Sequence, residues 1–188
     1  ARQPGSTIKP IGVYSAAMDM GVINYSSMLV DEYVDNYFPN GDPGPNNAWK
    51  APQGKMLLPY AIEISQNTTA AQLTKEIGPM TVYNFLTEKL HFEHLNPQED
   101  SVAIGAMSIG GLNGGMTVKE MTAAYQIFGN GGLYYEPYTY YYVEDHDGNR
   151  ILDNTNNVPT QALASDDATV MNKLLHMPVY GSSGTARD

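Results

Sequence analysis

Cysteine is absent from the 188 residues of the chain. That excludes disulfides and thiolate-bound metals. It also leaves the chain free to work in an oxidising compartment without mispairing. Cations are scarce: 10 Lys and Arg stand against 20 Asp and Glu, a net charge of -10. This balance argues against binding to a nucleic-acid backbone and against a basic membrane-surface patch. No apolar run approaches the length of a membrane span, and no signal peptide is visible. Any anchor or export address of a parent protein is expected outside this stretch. What is present is a 42% hydrophobic composition with only 16% charged residues, enough for one globular domain with a sizeable core.

Periodicity predicts a helix-rich chain. Ile8, Ile11, Val13, Tyr14, Ala17 and Met18 give an apolar face to a first helix over about 6–20, with Pro10 tolerated in its first turn and Gly21 as its stop. Residues 36–54 are rich in Pro, Gly and Asn and read as a long loop of the kind that is often functional. A short helix over 55–64 follows, interrupted by Ser65-Gln66-Asn67. Further helices are expected over 68–78 and 80–90. The five-glycine stretch 101–115 reads as a loop. Thr117 and Glu120 form a capping box for the next helix, which Gly129-Asn130-Gly131 ends. An aromatic strand, a turn at Asp147-Gly148-Asn149 and a return strand predict a β-hairpin. A last helix begins at Ser165 or Asp166 as N-cap, and the tail "YGSSGTARD" is loop-like.

The chain opens "ARQPGSTIKP", with Ser6 and Lys9 three residues apart behind Pro4-Gly5. Residues i and i+3 of a helix share a face, their Cβ atoms roughly 5–6 Å apart, and helical side chains lean toward the N-terminus. The Lys9 amine is therefore expected to reach back to the Ser6 hydroxyl. A serine hydroxyl is a weak nucleophile until a base takes its proton. A lysine whose pKa is lowered by burial can be that base. The helix start adds N–H groups suited to an oxyanion. On its own, Ser-x-x-Lys is common, and a plain N-cap is the default role for Ser6.

The surrounding residues are more specific. "RQPGSTIKP" resembles the active-serine segment of the penicillin-binding proteins, in particular their bifunctional class A branch. Ser65-Gln66-Asn67 resembles the family's Ser-x-Asn box. "SVAIGAMSIGGLNGGMTVKEMTAAYQIFGNGG" is similar to the family segment ending "AAAYATFANGG", and the hairpin after Tyr135-Glu136-Pro137 has a counterpart there. The resemblance implies a serine D,D-transpeptidase that cross-links peptidoglycan. Ser6 would attack a D-Ala-D-Ala bond and form an acyl-enzyme, with Lys9 as base. Ser65 would relay a proton to the leaving amine, and Asn67 would bind Lys9 and the substrate amide. Stem peptides and β-lactam antibiotics would be the partners. No cofactor or metal is implied, and nucleic acid is not a partner. A membrane-anchored parent at the extracytoplasmic face of a bacterial membrane would fit, with room for a glycosyltransferase domain.

The family's third box, Lys-Thr-Gly, occurs nowhere in the sequence. Ser183-Gly184-Thr185 matches an earlier "GT-small-A" segment instead, so the chain is expected to stop before that box. The expected fold is accordingly the α-rich part of an α/β, β-lactamase/transpeptidase-like domain spanning 1–188. It is a helical core plus one β-hairpin, with the central sheet strands largely outside this chain and little turnover by the chain alone. Two other functions fit the same pieces: a D,D-carboxypeptidase or β-lactamase, where water replaces the acceptor amine, and a non-catalytic β-lactam sensor or scaffold.

Other candidates have simpler readings. His91 and His94 in "HFEH" lack the i, i+4 spacing of a zinc-protease helix and read as a polar helix end. The tyrosines of "YYEPYTYYY" read as cross-strand packing. Asp145, Asp147 and Asp153 lack EF-hand spacing and read as turn chemistry. Tyr37 and Trp49 read as aromatic anchors of the long loop.

Overall fold

The computed structural model describes residues 1–187. Its centre is the opening helix, a continuous run that changes pitch along its length. Gly5–Thr7 form a 3₁₀ turn, Pro10–Tyr14 a π-turn and Ser15–Asp19 an α-helix, α1. Every residue from 8 to 18 is buried, so this helix is enclosed on all sides by others, its burial mostly of apolar residues. The π-turn has no signal in the sequence pattern. Pro10 supplies the unusual acceptor: its carbonyl takes both the N–H of Ser15, five residues on, and the buried Ser15 hydroxyl at 2.7 Å.

Around this axis the chain lays β1 (Met28–Asp31), β2 (Gly54–Leu57), α2 (Leu58–Glu63), α3 (Asn67–Ile77) and α4 (Pro79–Asn84), which runs on into a π-turn at Phe85–Lys89. Then come a 3₁₀ turn at Asp100–Val102, α5 (Ile104–Ile109) and α6 (Val118–Tyr125). The strands β3 (Leu133–Tyr134), β4 (Tyr142–Glu144), β5 (Arg150–Asp153) and β6 (Thr160–Gln161) precede α7 (Ser165–Leu174) and α8 (Met177–Tyr180). Helix α3 packs against β1, α4, α5 and the π-turn of the opening helix, its Ala70, Ala71, Leu73 and Thr74 all buried.

The helix-rich expectation holds, and so does the hairpin: β4 pairs with β5 across a turn at Asp145–Asn149. Two further antiparallel pairs, β1–β2 and β3–β6, go beyond the expected single hairpin. The helix expected over 55–64 starts later than its pattern suggests. Residues 54–57 form β2 because Leu57 is extended and Pro59 lies in the first turn of α2, which starts one residue earlier. The glycine-rich loop 101–115 contains α5, which ends at Gly110 in the left-handed region, φ +79°. The last helix breaks after Leu174 and restarts with Pro178 in its first turn. Its N-cap position is Ala164, with no side-chain cap, not Ser165 or Asp166.

The Thr117/Glu120 capping box is formed as predicted. The Thr117 hydroxyl accepts from the Glu120 N–H at 3.1 Å, and the Glu120 carboxylate accepts from the Thr117 N–H at 2.7 Å. Thr117→Ala is expected to lower the unfolding free energy by about 1–2 kcal/mol in urea denaturation. The neighbouring Val118→Ala, at a site 81% exposed, is expected to change it by less than about 0.5 kcal/mol.

Candidate active site

The lead-in to Ser6 is held from outside. Gly5 takes φ +59°, a left-handed value open to glycine, and so turns the chain into the helix. Arg2 and Met116 exchange backbone hydrogen bonds, both 2.8 Å. Gly110 lies so close to Gly5 that a Cβ there would come within 2.5 Å of its carbonyl oxygen. The Tyr125 hydroxyl donates to the carbonyl of Thr7 at 2.9 Å. The glycine-rich segment is thus a cradle for the Ser6 turn, a role the sequence pattern alone did not reveal.

Ser6, Lys9, Tyr14, Ser65, Tyr125 and Thr185 line one cavity of about 210 Å³. A larger groove of about 440 Å³, between β1 and α3, contains none of Ser6, Lys9, Ser65 or Asn67. Ser6 is exposed at the cavity, whereas Lys9 is only 2% exposed. The Lys9 Nζ donates to the Ser65 carbonyl at 2.8 Å, the Ser65 Oγ at 3.2 Å and Asn67 Oδ1 at 2.6 Å. Burial lowers its pKa to about 7. Burial also pushes Tyr14 and Tyr125 up to about 12, which keeps both hydroxyls neutral.

Lys9 is hydrogen-bonded to Ser65 and Asn67, and Ser6 lines the same cavity as Lys9 and Ser65, with one correction to the expected contacts. Among the described residues no hydrogen bond joins Lys9 to Ser6. An ammonium has three donors, and here all three are taken by the Ser-Gln-Asn segment. A neutral amine keeps two donors and presents a lone pair, so loss of one proton is what opens this group toward a hydroxyl.

Ser65 sits at φ +51°, in the left-handed region that a residue with a Cβ seldom enters. That conformation turns both its carbonyl and its hydroxyl to Lys9, and such strain persists where surrounding contacts fix it. Asn67 is held on every polar group but one: Oδ1 accepts from Lys9, Nδ2 donates to the carbonyl of Asn46 at 2.7 Å, and its N–H donates to Asn47 Oδ1 at 2.9 Å. One amide hydrogen remains for a ligand. Asn46 and Asn47 carry no signal of their own in the sequence, although the long loop that holds them does. Glu63, buried on α2, accepts from the Ser183 N–H at 2.6 Å and so secures the turn before Thr185.

The two histidines of "HFEH" are paired with carboxylates. His91 Nδ1 lies 3.0 Å from Glu136 and His94 Nδ1 lies 2.9 Å from Glu120. Burial raises the Glu120 pKa, but the hydrogen bonds from His94, Thr117 and Glu93 outweigh it and bring the carboxyl to about 2. Among the described residues no group of three His, Asp or Glu is placed to hold a metal, and no helix is long and apolar enough to cross a membrane.

The family model described as the penicillin binding protein transpeptidase domain matches residues 1–188. Penicillin-binding protein 1A of Clostridium acetobutylicum is 31% identical over 209 residues, covering 100% of this chain and 25% of that protein. Its namesake in Streptococcus pneumoniae is 30% identical over 200 residues, again 100% and 25%. The chain therefore spans about a quarter of the length of these relatives. Penicillin-binding protein A of Mycobacterium tuberculosis superimposes with a TM-score of 0.74 at 22% identity, covering 94% of this chain and 44% of that one. That protein has also been solved as an imipenem acyl-enzyme complex.

The buried amine sets a pH dependence of stability. The folded value of about 7 lies below the ordinary 10.5, so between these limits the unfolded chain binds more protons. Stability therefore rises with pH across that window, by at most about 1.4 kcal/mol per pH unit. Urea denaturation is expected to show wild type gaining on Lys9→Met as pH rises through the window. Below about pH 7 the difference between the two is expected to be flat.

Proposed function

Because the chain belongs to the penicillin-binding-protein transpeptidase family, we propose that it carries the acylation site of a serine D,D-transpeptidase. Neutral Lys9 takes the proton of the Ser6 hydroxyl while Ser6 Oγ bonds to the carbonyl carbon of a D-Ala-D-Ala peptide. The N–H of Ser6, in the first turn and without an intrahelical partner, is suited to the oxyanion that forms. The C–N bond breaks as Ser65 passes a proton to the leaving D-alanine amine, leaving an acyl ester on Ser6. An amine of a second stem peptide then attacks the ester, and Ser6 Oγ recovers its proton. A β-lactam presents the same kind of acyl carbon in a strained ring. Asn67, with one free amide hydrogen, is suited to the substrate's amide carbonyl.

The observation that carries this reading is the Lys9 amine. It is buried, lowered to about 7 and bonded to Ser65 and Asn67, at the cavity that Ser6 lines. Cross-linking of peptidoglycan, location at the extracytoplasmic face and an attached glycosyltransferase domain are proposed for the intact protein. Lys-Thr-Gly is not among the 188 residues. One missing oxyanion donor can cost about 10²–10³ in rate, so the isolated chain is expected to turn over little substrate.

The test is the intact mass of the full-length protein after incubation with a penicillin. Wild type is expected to gain one penicillin, Ser6→Ala none. Lys9→Ala is expected to acylate at least about 10²-fold more slowly. An adduct that persists in Ser6→Ala, or none on wild type, defeats the assignment. Release of D-alanine measured with and without an acceptor amine separates transfer from hydrolysis.

A further inference from the structure

Strand β1 ends in a carboxylate that no apolar or ionic reasoning explains. Asp31 is fully buried, and among the described residues no Lys, Arg or His pairs with it. A buried carboxylate without a cation is costly unless hydrogen bonds satisfy it. Asp31 is satisfied entirely by neutral donors. Gln66 Nε2 lies 3.0 Å from Oδ1 and 3.1 Å from Oδ2, the Thr68 hydroxyl donates to Oδ1, and the Gln53 N–H donates to Oδ2 at 2.7 Å.

Two of these donors flank Asn67. Gln66 and Thr68 turn inward to Asp31 while Asn67, between them, turns to Lys9. Thr68 also accepts from Asn47 Nδ2 at 3.1 Å, and Asn47 Oδ1 takes the N–H groups of both Asn67 and Thr68. Gln53 closes the long loop one residue before Gly54, which faces Asp31 across the β1–β2 ladder. One carboxylate thus joins the strand pair, the end of the loop and both neighbours of a site residue.

We propose that Asp31 is a positioning residue for the acylation site. It holds Gln66 and Thr68 so that Ser65 and Asn67 present their oxygens to Lys9. This rests on the reading of Ser6 as nucleophile and Lys9 as its base. Asp31 touches no reacting atom and acts through the segment 65–68. The proposal also gives Gln66, the variable middle residue of the box, a definite task.

The experiment follows acylation of the full-length protein by a fluorescent penicillin from about pH 6 to pH 10, beside thermal unfolding of each sample, with reach set by the Lys9 window. The titratable groups facing Lys9 in the cavity are Tyr14 and Tyr125, and Glu63 lies on the adjoining helix α2. Asp31→Asn keeps the shape but sets an amide against the donors of Gln66, Thr68 and Gln53. The segment loosens, water reaches Lys9, and its proton is held more tightly. The expected result is a loss of acylation at neutral pH of up to about a hundredfold, with the rising limb moved to higher pH and part of the rate recovered there. Thr68→Val removes one of the bonds to Asp31, and with it the bond from Asn47, at constant shape. It is expected to move the limb the same way by less, and it decides the question if Asp31→Asn does not fold. A folded variant with wild-type rate and limb overturns the proposal. So does a loss that merely tracks the folded fraction with the limb unmoved. Failure of wild type to form an adduct overturns instead the acylation reading beneath it.

Discussion

A buried lysine amine is the constraint on which the rest of this structure turns. Lys9 is placed where its charge is least welcome, and its three donors must then be met by protein oxygens. Those oxygens come from a segment more than fifty residues away that has to hold a left-handed serine and an asparagine in register. The burial that lowers the amine's affinity for its proton is therefore the same feature that obliges Ser65 and Asn67 to be where they are. Chemistry and architecture share one cause here.

The chain's acidity is partly architectural. Asp31, Glu63, Asp100 and Glu120 are buried, and each accepts at least one backbone N–H from a segment with no regular partner. Asp100 joins Asn96 to Asn113 at 2.9 Å each, and Glu120 joins Glu93 to Thr117. Long loops must satisfy their N–H groups somewhere, and a carboxylate with two oxygens can tie two strands of chain at once. In a fold with only short sheets, these acids do work that ladders perform elsewhere. They touch the site from three sides: the Ser-Gln-Asn segment through Asp31, the turn before Thr185 through Glu63, and the base of the glycine-rich cradle through Asp100.

How much of this could be read beforehand follows from how local each feature is. The opening helix, α3, the capping box and the β4–β5 hairpin rest on periodicity and turn residues within a few positions, and all were legible. So was the contact of Lys9 with Asn67, through the resemblance of their segments. The pairing of β1 with β2 was not. Its two strands are four residues each and separated by a long irregular loop, so neither carries a pattern strong enough to declare itself. Nor was the direction of the Lys9 amine. Helical spacing brings it over Ser6, but three acceptors from another part of the chain outcompete a single hydroxyl. Asp31, Asn46 and Asn47 act through contacts 20 or more residues distant, and nothing in their own neighbourhood marks them. His91 and His94, read as a polar helix end, lie just past the last turn of α4's extension and are held by acids, as a polar end should be.

The proposed roles of Ser6 as nucleophile and Lys9 as base set two opposite demands. The base must be dry to be neutral near pH 7, while the nucleophile must be open to a substrate. Ser6 and Lys9 are three positions apart, and in that distance the chain passes from exposed to buried. It does so because the helix enters the core end-on instead of lying along it. The 3₁₀ turn carries Ser6 at the mouth, and everything from Ile8 inward is enclosed. A helix lying along the surface would place both residues on one face with similar exposure, and could not meet both demands. The Gly5 turn, the Gly110 contact and the Tyr125 hydrogen bond are what hold the helix mouth at that boundary. The glycine-rich segment therefore belongs to the site as much as the residues that line it.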